Sequence, residues 1–410
     1  MEPGSSTTGE ASAEQESPHY CEAGASLLLG EGFFRPESRP SRDLGVLLAR
    51  WLAHQPPQQL TVLDLMAGCG IRSLRYGREA GASAIWANDA DPLRLPLLRR
   101  NLAELPQTGL RITALTAQNL LARCLIRQER FSLVDLDAFG CPTTLVAPAL
   151  EVLRFGGVLY LASTDGRSPT GHDRPAAIRS LGAAARAHPA SWELALRLQI
   201  GVVARAAWAL GRGIRPLFSF SEGRTFRTAI QLLRRPESQQ ERLLGLLAHC
   251  HGCGDQQHQS LLQLRQWQPC DCPQQPAPPR AISGPLWLGP LQHPPSLQAM
   301  QALEASAVAS GAAASAAKPA LRLLRCLADD PGVPPTCWPT ADLARRLQGG
   351  PPPLAALVEA LRREGWRAGT SAVMAGQVRS DAPWQRILEV AAGISSAAQP
   401  PLDGAGTLNR

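Results

Sequence analysis

The stretch TVLDLMAGCGIRSLRY, residues 61–76, decides the fold. It opens with the apolar run of a buried strand that ends at Asp64-Leu65. Gly68 and Gly70 then let the backbone turn tightly and lie close to a ligand, and IRSLRYGREA continues as a helix. Outward from this unit the alternation repeats. SAIWAND (83–89) predicts a second strand and DPLRLPLLRRNLAEL a helix. LRITAL, NLLARCLI and FSLVDLD predict a third strand, a helix and a fourth strand. Pro142 opens a helix that Gly156 and Gly157 end, and VLYLAST is a fifth strand. Strands alternating with helices at this spacing mean a parallel α/β sheet with right-handed crossovers. After a helical stretch at 191–210, IRPLFSF and TFRTAIQLLR read as two further strands, a closing hairpin.

The whole chain has 410 residues, too many for one small binding module, and with 44% apolar residues it can bury large cores. Residues 1–18 read as a disordered tail, 19–235 as the α/β domain, 236–282 as a Cys-rich segment, 283–395 as a mainly helical C-terminal domain, and 396–410 as a flexible tail. No run of eighteen apolar residues occurs, so no transmembrane helix and no membrane partner is expected. The formal charge of +7 includes four glutamates and no Lys or Arg in the first twenty residues, which leaves +11 on the rest. A basic body suggests a polyanionic partner. Forty of the forty-one basic residues are arginine, which a GC-rich genome would also produce, so arginine preference alone does not indicate RNA. The ten cysteines, with no basic stretch and apolar run at the N-terminus, point to a reducing, cytoplasmic setting. Nothing indicates a protein partner, and a monomer is expected.

Two strand ends carry the chemistry. Asp64, Gly68 and Gly70 form the turn, and Asp89 ends the next strand nineteen residues beyond Gly70, where a carboxylate can accept both ribose hydroxyls of an adenosine. A dinucleotide pattern needs a third glycine, but Arg72 and Ser73 follow, so NAD is disfavoured and S-adenosylmethionine fits best. Asp135-Leu-Asp137-Ala-Phe139-Gly140 closes the fourth strand. Phe139 there can stack on a planar base and Asp137 can accept a hydrogen bond from an exocyclic amine. The competing reading makes Phe139 a core residue and Asp137 a helix cap.

Cys250-x2-Cys253 and Cys270-x-Cys272, sixteen residues apart, present four thiolates at tetrahedral-site spacing, and a structural Zn2+ would stabilise a segment poor in apolar residues. Free thiols are the alternative. Between 201 and 235 seven arginines (205, 212, 215, 224, 227, 234 and 235) accompany Phe218, Phe220 and Phe226. Such a group can bind phosphates, although phenylalanines at period two suit a strand core.

Phe33-Phe-Arg-Pro, Ser41-Arg42-Asp43, AGCGIRSLRY, NDAD, DLDAFG, the STDG of 163–166, RGIRPLFSFSEGRTFR and SGPLWLGPL, in this order, resemble the tRNA (guanine-26-N2)-dimethyltransferases. The resemblance spans about residues 20 to 395. It implies a seven-stranded, Rossmann-like class I methyltransferase sheet and a C-terminal domain special to the family. It also implies methyl transfer from S-adenosylmethionine to the exocyclic amine of a tRNA guanine. By position, Arg42, Arg72, Asp89 and Ala117 match cofactor contacts, and Thr116 stands where the family has an acid near the adenine amine. Asp137 matches the catalytic acid, and Phe33 and Phe139 the aromatics that hold the base. The chain departs from the family at Ala138 and at Thr370, Ser371 and Ala372. A noncatalytic tRNA- or RNA-binding protein on the same scaffold is the second reading, against which the retained Asp64, Gly68, Gly70, Asp89 and Asp137 speak.

Overall fold

The computed structural model describes residues 18–272 and 276–397. The expected tails, 1–18 and 396–410, therefore lie almost wholly outside the described residues. A short hairpin, β1 (His19–Glu22) and β2 (Ala25–Leu28), leads through a loop into α1 (Arg39–Ala53). The α/β core follows as β3 (Thr61–Asp64), α2 (Ile71–Ala80), β4 (Ala84–Asp89), α3 (Leu95–Asn101), β5 (Leu110–Ala114), α4 (Ala117–Ile126), β6 (Phe131–Ala138), α5 (Thr143–Glu151) and β7 (Leu153–Ser163). Then come α6 (Arg174–Leu181), α7 (Ser191–Ala209), β8 (Gly213–Glu222) and β9 (Thr225–Leu233).

All seven expected strands form one sheet in the order β5-β4-β3-β6-β7-β9-β8. Neighbours from β5 to β7 run parallel, and β9 pairs antiparallel with both β7 and β8. The order reverses between β3 and β6, so a crevice opens at their carboxyl ends, where open α/β sheets bind ligands. Each face is covered, as nearly continuous apolar strands require. Leu120, Val146, Leu150, Leu194 and Leu198 bury one face, and Leu44, Leu47, Leu74, Leu98 and Phe218 the other. The fifth strand starts earlier than its apolar run, at Leu153, because Gly156 at φ +81° kinks it without ending it.

Two expectations change beyond the sheet. The Cys-rich segment builds β10 (Leu244–His249) and β11 (Gln256–Ser260), which join β12 (Ala281–Trp287) in a sheet of order β11-β10-β12. It borrows its core: Leu247, Leu286 and Trp287 pack into the same cluster as α7. The helices α8 (Pro294–Ala309) and α9 (Lys318–Asp329) place Leu297, Met300, Leu324 and Leu327 against α1. The chain then forms β13 (Cys337–Pro339), α10 (Thr340–Leu347), α11 (Leu354–Arg363), β14 (Ala368–Thr370), β15 (Gln377–Ser380) and α12 (Trp384–Ala397). These strands make a third sheet, β13-β15-β14, around Trp338, Leu361, Val378 and Ile387. The mainly helical expectation missed it because strands of three and four residues leave no period-two signature. No described helix is long and apolar enough to cross a membrane.

Candidate active site

A cavity of about 390 Å³ opens at the carboxyl ends of β3, β4 and β6. Gly68, Arg72, Asp89, Asp137, Phe139, Phe33 and Arg42 all line it. The glycine turn takes the tight backbone conformation that the sequence implies. Gly68 sits at φ +57° with open space where a side chain would be, so bare backbone faces the cavity. Asp89 Oδ2 accepts the Gly68 N–H at 2.9 Å and Oδ1 the Asp91 N–H at 3.0 Å, which locks the carboxylate and leaves each oxygen a lone pair.

Asp137 sits between two arginines. Arg72 Nη2 donates to Oδ2 at 3.0 Å, Arg227 Nη2 donates to the same oxygen at 3.3 Å, and Arg227 Nη1 lies 3.3 Å from Oδ1. Burial alone would raise this carboxyl; Arg227 and then Arg72 overcome it and hold Asp137 at about 2. Beneath lies a second tier. Asp135 takes the Tyr76 hydroxyl at 2.5 Å and the Arg72 guanidinium at 3.4 Å. Asp64 takes the Ser73 hydroxyl at 2.7 Å, and burial with the Asp135 charge pushes it up to about 7.

The mouth is aromatic. Phe33 and Phe139 are 71% and 75% exposed and meet edge to face at 5.2 Å between centroids. Two large apolar rings exposed side by side offer faces on which a planar group could stack. The competing core reading of Phe139 fails, and α5 is capped at Pro142 without any Asp137 contact. Gly140 at φ +72° fixes the turn after Phe139, donating its N–H to the Thr164 hydroxyl at 2.7 Å.

Four expected cofactor residues stand back from the cavity. Asp64 is buried under the turn. Gly70 starts α2 at φ +86°, and a Cβ there would press on Leu98 at 3.1 Å. Thr116 caps α4 by accepting the Asn119 N–H at 3.3 Å, and Ala117 is core. Arg42 reaches the cavity wall, yet its guanidinium is bound by Glu22, with Nη2 to Oε2 at 2.5 Å and Nε to Oε1 at 2.9 Å, and by the Arg35 carbonyl at 3.0 Å. It ties the hairpin and the Phe33 loop over the crevice.

Sequence reasoning missed Glu22 and did not place Arg227 in the cavity. Glu22 sits in a hairpin too short to read. Of the seven arginines grouped as a candidate phosphate surface, Arg227 is buried at Asp137, and Phe218, Phe220 and Phe226 are strand core. Cys250, Cys253 and Cys270 bring their sulfurs within 4.8 Å of one another, and buried Cys272 packs with them.

Comparisons with known proteins give the family. The family model described as N2,N2-dimethylguanosine tRNA methyltransferase matches residues 26–392. A tRNA (guanine(26)-N(2))-dimethyltransferase of Methanoregula boonei is 30% identical over 355 residues, covering 86% of this chain and 88% of its own. The enzyme of the same name from Pyrococcus abyssi is 28% identical over 380 residues, covering 89% and 93%. The solved complex of Trm1 from Pyrococcus horikoshii with S-adenosyl-L-methionine superposes with a TM-score of 0.77 at 23% identity, over 91% of this chain and 99% of that one, so the fold is shared. By sequence match along nearly its whole length, this chain belongs to the N2,N2-dimethylguanosine tRNA methyltransferase family.

Proposed function

We propose that this cavity binds S-adenosylmethionine beside an extruded guanine, and that the protein transfers methyl groups to the exocyclic N2 of guanine 26 in tRNA. One observation carries the reading: Asp137, kept ionised by two arginines, faces a cavity between a bare glycine turn and two exposed phenylalanines.

When bound, S-adenosylmethionine supplies an electrophilic methyl group on a positive leaving group. The protein's tasks are orientation and proton acceptance. Gly68 leaves room for the cofactor against the turn, and the free lone pairs of Asp89 suit a ribose diol. A guanine stacked in tRNA cannot reach the sheet edge, so the nucleotide must leave the stack at a cost of a few kcal/mol. Phe33 and Phe139 provide the faces on which the base restacks. A carboxylate at about 2 is a weak base and does not strip a neutral amine. Asp137 instead accepts an N–H of the amine, aligns the nitrogen lone pair, and takes the proton once methylation makes that nitrogen acidic. N2-methylguanine retains one N–H, so the same acceptor serves a second transfer.

Mass analysis of nucleosides from unmodified tRNA treated with the purified protein and S-adenosylmethionine tests the activity. N2-methyl- and N2,N2-dimethylguanosine at position 26 are expected. Cofactor binding without methylated guanine would leave the noncatalytic RNA-binding reading.

For the Cys-rich segment the reading is one structural Zn2+ held by Cys250, Cys253, Cys270 and Cys272. Three sulfurs within 4.8 Å of one another and a fourth buried beside them are a soft donor set suited to a closed tetrahedral site. Gly252 makes the fit possible, since a Cβ there would meet the Cys272 sulfur at 2.4 Å. Elemental analysis should find one zinc per chain. In domain terms, residues 19–235 form the methyltransferase body with α8 and α9 braced against it, and the third sheet with its helices forms the family-specific unit.

A further inference from the structure

Asp137 is positioned from a strand ninety residues away. In the sheet, Asp137 of β6 pairs with Ala162 of β7, and Ala162 pairs with Arg227 of β9. The three residues form one row across three strands, so their side chains share a face and the outer two stand about 10 Å apart at their backbones. The small Ala162 between them lets the long arginine cross to the carboxylate. Arg227 is itself fixed from behind: Glu222 of β8 takes its Nε–H at 3.0 Å, and the other Glu222 oxygen takes the Ser41 N–H at 3.0 Å.

We propose that Arg227, braced by Glu222, is a positioning residue for methyl transfer. It turns the Asp137 carboxylate so that Oδ2 is occupied and Oδ1 is presented to the target amine. This rests on the reading of the cavity as a guanine-N2 site. The hydrogen-bond pattern supports the assignment. Oδ2 accepts from both Arg72 and Arg227, whereas among the described residues Oδ1 accepts no hydrogen bond and has only the Arg227 Nη1 charge at 3.3 Å. The planar guanidinium is suited to this, because it can reach both oxygens of one carboxylate while its Nε binds Glu222. Arg72 supplies charge from α2 but is shared with Asp135 beneath, so orientation falls to Arg227.

Charge enters as well. Around Asp137 stand Arg72 and Tyr76 from α2, Arg227 from β9, Glu222 from β8, Asp135 from β6, Asp64 from β3 and Tyr160 from β7. Arg42 and Asp89 line the same cavity. Removing Arg227 leaves Arg72 as the arginine bonded to Asp137, with several acids nearby, and Asp137 then takes up a proton at higher pH.

Single-turnover methylation of unmodified tRNA, followed from about pH 5 to pH 8 with Arg227→Gln, Arg227→Lys and the parent protein, tests this. Arg227→Gln should slow the step ~10–100-fold at neutral pH, with S-adenosylmethionine affinity by calorimetry within about twofold. Its rate should fall further toward acid pH, a limb that the parent lacks. Arg227→Lys should suppress the acid limb by restoring charge while recovering only part of the rate. Loss of rate only in proportion to the unfolded fraction, with an unmoved pH profile, would overturn the proposal and make Arg227 a structural partner. Failure of the parent protein to methylate guanine would instead overturn the reading of the site.

Discussion

Glu193 and Asp137 are two of the carboxylates in this protein held by a pair of arginines, and they differ in what else can reach them. Glu193 of α7 lies at the junction with the C-terminal unit, where Arg197 and Arg379 grip it; Asp137 lies in the cavity between Arg72 and Arg227. Burial would raise both, yet the arginines hold both at about 2. Glu193 is saturated. Its Oε1 accepts Arg197 Nε at 2.9 Å and Arg379 Nη1 at 2.8 Å, and its Oε2 accepts Arg379 Nη2 at 2.7 Å and the Cys337 thiol at 3.4 Å. Arg379 also bridges to Asp330 at 2.9 Å, so the network pins β15 to α7. The Glu193 side chain is 2% exposed, that of Asp137 27%. A closed network of buried ions holds elements together and has no capacity left for a ligand. An open one with similar chemistry keeps an acceptor free, and that is where reactivity belongs.

The comparison is broken most directly by neutralising each acid in turn. Asp137→Asn should slow methyl transfer to tRNA by ~10²–10⁴-fold, the range of a positioned proton acceptor, with the fold intact. A near-parental single-turnover rate would place Asp137 in the structural class with Glu193. Glu193→Gln should do the opposite, costing ~3–5 kcal/mol in denaturant unfolding because Arg197 and Arg379 lose a buried counter-charge. The surviving folded fraction should methylate at the parental rate. Denaturation midpoints unchanged by this substitution would show that the junction is held by packing alone.

Acid sharpens the same contrast. The Glu193 carboxyl is depressed from 4.5 to about 2, so its stabilisation is present above pH ~4.5 and is lost as pH falls toward 2. The stability gap between the parent and Glu193→Gln should therefore narrow across that window and stay flat above it. Chemical denaturation at several pH values measures it, and a gap that widens toward acid would contradict the ion-pair account. The smallest effect concerns a carboxylate that makes no ion pair among the described residues. Asp89→Ala should weaken S-adenosylmethionine binding about tenfold, or ~1.4 kcal/mol, by calorimetry. Equal affinity would remove Asp89 from the ribose contact.

Much of the molecule is legible in the sequence. Seven strands, their parallel run and the closing hairpin follow from runs of apolar residues long enough to set a period. Gly68, Asp89, Asp137 and Phe139 are legible as candidate site residues because they lie at or just beyond strand ends, where a sheet of this type places ligands. The third sheet was not, since its strands are as short as Cys337–Pro339. The resemblance assigns Thr116 and Ala117 to the cofactor, and locally they are a helix cap and a core residue.

What the sequence determined by itself is therefore local: periodicity, turns, and residue types that can do amine chemistry. What only the tertiary structure decided is which charges meet. Glu22 meets Arg42 across twenty residues, and Arg227 meets Asp137 across ninety. Glu193 meets Arg379 across 186. Nothing in the neighbourhood of any of these residues encodes its partner. The pairing is set by strand order and register, which bring Asp137, Ala162 and Arg227 into one row only after β9 has inserted between β7 and β8. An arginine grouped along the chain with candidate phosphate binders thus becomes, in the folded sheet, the group that holds the carboxylate at the cavity.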